Sequence, residues 1–489
     1  MSSSSAASSP PQPEGKFKNA CLRCNGLKRR CNKALPACKT CAQRGQTCQY
    51  VDLALLRGNL LGAIESVKDV HALAFRAVLD AHGLNQNRVD QAISSYFKGV
   101  NTWFTIVDQS RFEPQARDLA TNPSAETCVL VLCMSLIANP PKPRTGPSRT
   151  RSQGLGDDPY HFSKAILSLV QSKLPTAIPL LQAQLLIAMY EYSQSMPQQA
   201  YMSLGQCFQI AKMLGWHKRQ FWSVERQAAA PRDMKLCSIL WWSIVHLDCL
   251  LNVGYPDQAY PMLTAGLGHE PAIPFPEALD QYLPGGFASP GLAIMALPEA
   301  ASAWYLNRVL QQLSDPGPTP AADRDALFEL ITEHTSKILS SKGRVGDRNA
   351  ALGTNFIALT KLNQAGLVGG TSPLMAADQD QDRVRAAETT RHIVRVVRDD
   401  AAHLAQSADR LGTGTLTPCW AFAIYNASLL LVAHGNAVLR EPDWLSTVEQ
   451  LKDSLDTLSR RWRIAEGYSQ SLGIALNSRL GGYAADVAR

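Results

Sequence analysis

Three observations predict an all-α chain: a small metal-stapled N-terminal module followed by a large multi-helix domain. Six of the 12 cysteines in 489 residues fall between Cys21 and Cys48, in two C-x2-C-x6-C halves separated by six residues. From about Asn87 onward, apolar residues recur with the 3.6-residue period of amphipathic helices, and no run of apolar–polar alternation argues for a sheet. At 45% hydrophobic and 18% charged, the chain can bury a large core.

Residues 1–15, MSSSSAASSPPQPEG, form a Ser/Pro-rich tail expected to be disordered. The tail has neither the basic n-region nor the apolar h-region of a secretory signal. That argues against a disulfide framework, which needs an oxidising compartment. The six clustered cysteines (Cys21, Cys24, Cys31, Cys38, Cys41, Cys48) instead have the spacing of a metal site. Two sulfurs in C-x2-C grip an ion from one turn while a third closes in from the next element. All-thiolate donors favour zinc or an iron–sulfur cluster. Six thiolates complete two tetrahedral zinc sites if two sulfurs bridge, whereas an iron–sulfur cluster leaves two idle.

Charge points the same way. From Gly15 to Val51 there are nine basic residues (Lys16, Lys18, Arg23, Lys28, Arg29, Arg30, Lys33, Lys39, Arg44) and no acidic ones. With those nine in the window and +7 overall, the remaining residues carry a net −2. Two zinc ions and six thiolates subtract two charges, so residues 16–50 stay strongly cationic and suited to nucleic-acid phosphate.

This window resembles the binuclear zinc cluster of fungal transcription factors. The resemblance is carried by the six-cysteine spacing, the basic run Lys28-Arg29-Arg30 before the third cysteine, and Pro36 before the fourth. It implies two zinc ions per chain, with Cys21 and Cys38 bridging and Cys24, Cys31, Cys41 and Cys48 terminal. It also implies double-stranded DNA as the partner, at CGG-like sites, and a nuclear regulator of RNA polymerase II genes that contacts the transcription machinery. Asn25 and Leu27 stand where the family usually carries basic residues, which leaves Lys28 to read base edges. The remaining basic residues of the set (Lys16, Lys18, Arg23, Arg29, Arg30, Lys33) are expected to serve DNA binding, with Lys16, Lys18, Arg29 and Arg30 on phosphates. RNA fits less well, because the only nearby rings are Phe17 and Tyr50.

Residues 51–86 form a linker or a short coiled coil. Leu53, Leu56, Leu60, Ala63, Val67, Val70, Ala74 and Ala77 alternate at spacings of three and four, a seam that would make a homodimer through 53–77. Three seam alanines, with Gly58 and Gly62, argue instead for a first helix docked on the large domain.

Residues 87–489 are expected to be one all-helical domain. Helical segments include His161–Leu174, Ala177–Met196, Gln198–Trp216, Asp233–Gly254, Asp323–Leu339 and a continuous Trp444–Tyr468. Tyr96–Phe112, LLQAQLLIAMYEY, AYMSLGQCFQIAKMLGWHK and LWWSIVHLDCLLNVGYP resemble the regulatory domain that follows the cluster in the same fungal family. The compact length and the second of these stretches look like regulators of secondary-metabolite gene clusters. No apolar run of membrane length is expected, and no membrane partner.

An enzyme is not expected. His246, Asp248 and Cys249 lie in one apolar helical stretch, but residues two apart on a helix do not face each other, so they read as core. No phosphate loop, nucleophile elbow or His-Glu-x-x-His is present. Asp323–His334 and Pro276–Leu283 could serve activation but read equally as amphipathic helices. The alternative to a DNA-binding regulator is a zinc-stapled interaction scaffold whose charge only directs import.

Overall fold

The computed structural model describes residues 24, 29–34, 37–45, 48, 67–82, 85–139, 158–255, 258, 260–265, 273–276, 278–279, 298–314, 321–340, 345–368, 376–411, 417–435 and 439–487. The expected tail, Lys16, Lys18, Cys21, Arg23, Lys28 and the seam from Leu53 to Ala63 lie outside the described residues. The chain divides into two compact units, Met1–Val70 and His71–Arg489.

Seventeen α-helices and no β-strand occur among the described residues. They are α1 (Lys39–Ala42), α2 (Val67–Ala81), α3 (Gln86–Lys98), α4 (Gln109–Arg117), α5 (Ala125–Ala138), α6 (Pro159–Gln171), α7 (Ile178–Ser193), α8 (Pro197–Met213) and α9 (Val224–Ala229). After them come α10 (Pro231–Gly254), α11 (Glu299–Ser314), α12 (Ala321–Ser340), α13 (Val345–Val368), α14 (Ala376–Leu411), α15 (Pro418–His434), α16 (Trp444–Ser459) and α17 (Arg463–Val487). The expected all-α class is what the chain adopts.

Local chemistry starts and stops these helices. Asn85, Asp108, Ser124, Asp158, Ser223 and Thr417 each accept a hydrogen bond from a first-turn amide of the helix that follows. Proline occupies the first turn of α6, α7, α8, α10 and α15, where its missing N–H leaves no bond unmade. Helix α8 is followed by Gly215 at φ 83°, a left-handed conformation that a side chain would strain.

In the second unit α7 packs between α5 and α8, and a chain of contacts runs from α10 to α11, α13, α15 and then α16 and α17. Helices α5, α7, α10 and α15 are buried on nearly every face. By length and composition α10 could cross a bilayer, which corrects the expectation that no run does so. Yet 78% of its apolar window is buried inside the fold, as in a core helix.

The suspected catalytic residues of α10 are core residues with partners. His246 Nε2 lies 2.8 Å from Thr354 Oγ1. Asp248 accepts bonds from Leu263 N, Thr264 N and Thr264 Oγ1 at 3.2, 2.8 and 2.7 Å, pinning the loop after α10. Cys249 is fully buried, and burial holds its thiol well above the ordinary range. Within Asp323–His334, Leu327 and Ile331 are buried while Leu330 is 44% exposed, the pattern of an ordinary amphipathic helix.

Burial pushes His246 down from 6.5 to about 4. The unfolded chain therefore binds more protons between those values, and stability present above pH 6.5 is lost as pH falls toward 4. That one group should remove up to about 3 kcal/mol across the window. The check is urea unfolding of wild type and His246→Gln from pH 7.5 down to 4.5: the wild type should lose the larger share of its stability. Parallel losses would remove His246 from the acid sensitivity.

The Trp444–Tyr468 stretch, expected to be continuous, is broken at Arg460–Trp462 into α16 and α17. The break turns Arg461 inward, to 1% exposure, where its guanidinium donates to the Ile137 carbonyl at the end of α5. Gln194 Nε2 donates to the Arg461 carbonyl at 3.1 Å, and Trp462 meets the Trp103 ring edge-on at 6.0 Å. No Gly or Pro marks the site, so tertiary contacts override a helical pattern.

Candidate metal centre and nucleic-acid interface

In the first unit, Cys24, Cys38 and Cys41 are 2%, 0% and 2% exposed, with half-buried Cys31 and Cys48 packed against them. Cys38 caps α1 and so places Cys41 one turn away. Its Sγ lies 3.7 Å from Cys24 Sγ, and Cys24 Sγ lies 4.0 Å from Cys41 Sγ. A disulfide would bring two sulfurs to about 2.05 Å. Sulfurs at the corners of a tetrahedron around zinc, each about 2.3 Å from it, stand about 3.8 Å apart. The observed separations therefore fit shared metal ligation, and no disulfide joins the described cysteines.

Backbone amides support the sulfurs. Cys38 N donates to Cys48 Sγ at 3.1 Å, and Cys41 N donates to Cys38 Sγ at 3.4 Å. Such bonds stabilise thiolates, the form that holds a metal. Cys38 thus stands between Cys24, Cys41 and Cys48, and bound zinc would fix the loops of a module too small for a core of its own.

The basic segment is tied to this centre. Arg29 N donates to the Cys24 carbonyl at 2.8 Å, Thr40 Oγ1 to the Arg30 carbonyl at 3.1 Å, and Lys39 N to Asn32 Oδ1 at 2.8 Å. Lys33 follows at φ 59°, turning the chain back toward α1. Arg29 and Arg30 are exposed and Lys33 is half-buried, so the side chains of both arginines are available to phosphate. Asn32 and Thr40 are the residues the sequence reading missed. Their role is to hold the backbone of the basic run, and an Asn directly before the left-handed Lys33 is the only local sign of it.

Of the expected ligands, the described structure brings together Cys24, Cys31, Cys38, Cys41 and Cys48; Cys21 lies outside it. Of the expected DNA contacts it places Arg29, Arg30 and Lys33. In the linker, Ala74 and Ala77 are 1% and 5% exposed, turned into the second unit rather than toward a partner.

Residues 19–55 match the fungal Zn(2)-Cys(6) binuclear cluster domain, and residues 93–258 match the fungal specific transcription factor domain. The chain is also similar to "Transcription factor BOA15" of Botryotinia fuckeliana (strain B05.10), with 23% identity over 131 residues, 27% of this chain and 69% of that protein. These are domains of transcription factors and not of enzymes.

Proposed function

We propose that this chain, a zinc-binding, DNA-binding transcription factor of the fungal Zn(2)-Cys(6) type, holds two zinc ions and reads CGG-like sites in the nucleus to regulate RNA polymerase II genes. The observation that carries the reading is the buried sulfur cluster of Cys24, Cys38 and Cys41, tied to an exposed basic run by the bond from Arg29 N to the Cys24 carbonyl and by those of the neighbouring Thr40 and Lys39 to Arg30 and Asn32. Cys21 and Cys38 are the bridging ligands, a role suited to the fully buried Cys38. Cys24, Cys31, Cys41 and Cys48 complete the two sites.

Lys28 donates to guanine O6 and N7 in the major groove, while Lys16, Lys18, Arg23, Arg29, Arg30 and Lys33 position the phosphate backbone. The helical domain, with its resemblance to regulators of secondary-metabolite gene clusters, modulates this activity and contacts the transcription machinery. A homodimer seam within 53–77 is confined to its upstream half, because Ala74 and Ala77 are spent inside the second unit.

The test separates reading from positioning. Lys28→Ala should reduce discrimination between a CGG site and a scrambled one by about 1–3 kcal/mol, whereas Lys16→Ala should weaken both alike. Equal losses on both DNAs for both variants would remove the division of roles. Titrating salt addresses the rival scaffold reading. With about six phosphate contacts, log affinity should fall against log salt with a slope near −5. A scaffold would show no preference for any DNA.

A further inference from the structure

The turn between α8 and α9 is pinned from inside and charged outside. Gly215 leaves α8 in a left-handed conformation, and Trp216 and Trp222 are buried at 1% and 5% exposure. Trp222 Nε1 donates to the Trp216 carbonyl at 2.7 Å, and Gln227 Nε2 donates to the Trp222 carbonyl at 2.5 Å. Between the two indoles His217, Lys218, Arg219 and Gln220 are all exposed, the last two opening a 3-10 turn (Arg219–Trp222). Arg226 of α9 holds its guanidinium 4.4 Å from the centre of the Phe221 ring, a contact that fixes an otherwise flexible cation. A rigid scaffold thus presents a set of exposed cations.

These cations lack acidic partners. Lys218, Arg219 and Arg226 have no carboxylate within 4.0 Å among the described residues. The next arginine, Arg232, lies 3.8 Å from Asp108, and Asp233 is taken by Arg111. Glu225 is the single acidic residue from Lys212 to Arg226, and its carboxylate is bonded to its own amide and to Ser223. With four basic residues the stretch carries a local net +3, although everything outside residues 15–51 sums to −2. Charge so concentrated and left unpaired favours an anionic polymer.

The rings of the turn say which polymer. Both indoles are buried and Phe221 is half-buried under Arg226, so charge is offered without an exposed ring on which a base or an apolar side chain could stack. That suits a phosphate backbone. Such a polymer is also what the zinc module holds, and tethering raises its local concentration. The chain from Cys48 to Val67 spans at most about 65 Å when fully extended, about 20 base pairs of duplex.

We propose that Lys218, Arg219 and Arg226 bind the phosphate backbone of DNA flanking the site held by the zinc module, adding affinity without sequence preference. The inference rests on the chain's being a DNA binder and is indifferent to which triplet the module reads. Three phosphate contacts steepen the dependence of log affinity on log salt by about 2.7.

Anisotropy titrations of the zinc-loaded full-length chain test it, from 50 to 200 mM salt, on a short duplex ending about 5 base pairs beyond a CGG triplet and a long one extending about 40 base pairs on each side. On the long duplex the wild type should lose about 40-fold more affinity over that fourfold rise in salt than Lys218→Ala/Arg219→Ala/Arg226→Ala. On the short duplex the two chains should coincide. Hydroxyl-radical protection beyond the triplet should be present with the wild type and absent with the triple variant, whose unfolding midpoint should be unchanged because all three positions are exposed. Arg117→Ala/Lys337→Ala/Lys452→Ala removes the same charge elsewhere on the surface and should follow the wild type.

A triple variant with the wild-type slope on long DNA, flank protection that survives it, or an equal loss in the charge-matched control would each overturn the proposal, and the first two would leave the turn to an acidic polypeptide. Each duplex is also run with the triplet scrambled. The turn is read from the difference between wild type and triple variant on long DNA of either sequence, so a wild type without preference for the triplet would count against the module's reading alone.

Discussion

Replacing Cys38 by serine is expected to abolish zinc-dependent DNA binding and to unfold the first unit, with the second unit keeping its helical signal. Cys38 is 0% exposed, its sulfur lies 3.7 Å from that of Cys24, and it accepts the Cys41 amide. Serine removes a soft thiolate and leaves a hard hydroxyl that is a poor zinc ligand at neutral pH. Because metal affinity is folding free energy in such a module, losing one central ligand loses the fold and not merely one bond. The checks are metal content and DNA affinity on the same sample. A Cys38→Ser chain that keeps two zinc ions and wild-type affinity would overturn the cluster assignment.

The second large effect is expected in the helical unit. Trp462→Ala should destabilise it by about 3–5 kcal/mol, the range for emptying a large aromatic site in a core. Trp462 is 1% exposed, its ring carries the Arg461 guanidinium at 4.6 Å, and it meets Trp103 edge-on. Removing it opens a cavity and also uncovers a buried cation already depressed to about 10 by burial. Against a typical total of about 5–15 kcal/mol, such a loss should appear as a large drop in the urea midpoint. A shift within about 0.5 kcal/mol, the scale of a surface substitution, would mean that the break between α16 and α17 is not a structural joint.

The helical class was legible because apolar periodicity is a local signal, whereas proline at the helix starts was not read as one. Pro159, Pro197, Pro231 and Pro418 each stand in the first turn of the helix they announce. Periodicity says less about α7 and α15, which are apolar on all sides because they are buried on all sides. The break at Arg460–Trp462 was not legible, since its causes lie far away in sequence: the Ile137 carbonyl, Gln194 and Trp103.

The metal centre was legible for the opposite reason. Zinc ligation imposes a spacing on the chain, and five of the six expected cysteines fall together in the described structure. How the basic run is held was not legible, because the bonds from Thr40 to Arg30 and from Lys39 to Asn32 join a side chain to a backbone group on another segment. Hydropathy could not forecast them.

The central claim is that a zinc-held module reads DNA sequence. Binding-site selection from random DNA with the zinc-loaded full-length chain at near-physiological salt, with metal determined on the same sample and a chelated control, tests it most directly. Two zinc ions per chain, an enriched CGG-like triplet, and loss of enrichment on chelation are expected. A chain that binds zinc yet enriches no sequence, or that enriches the same sequence after the metal is removed, would contradict it.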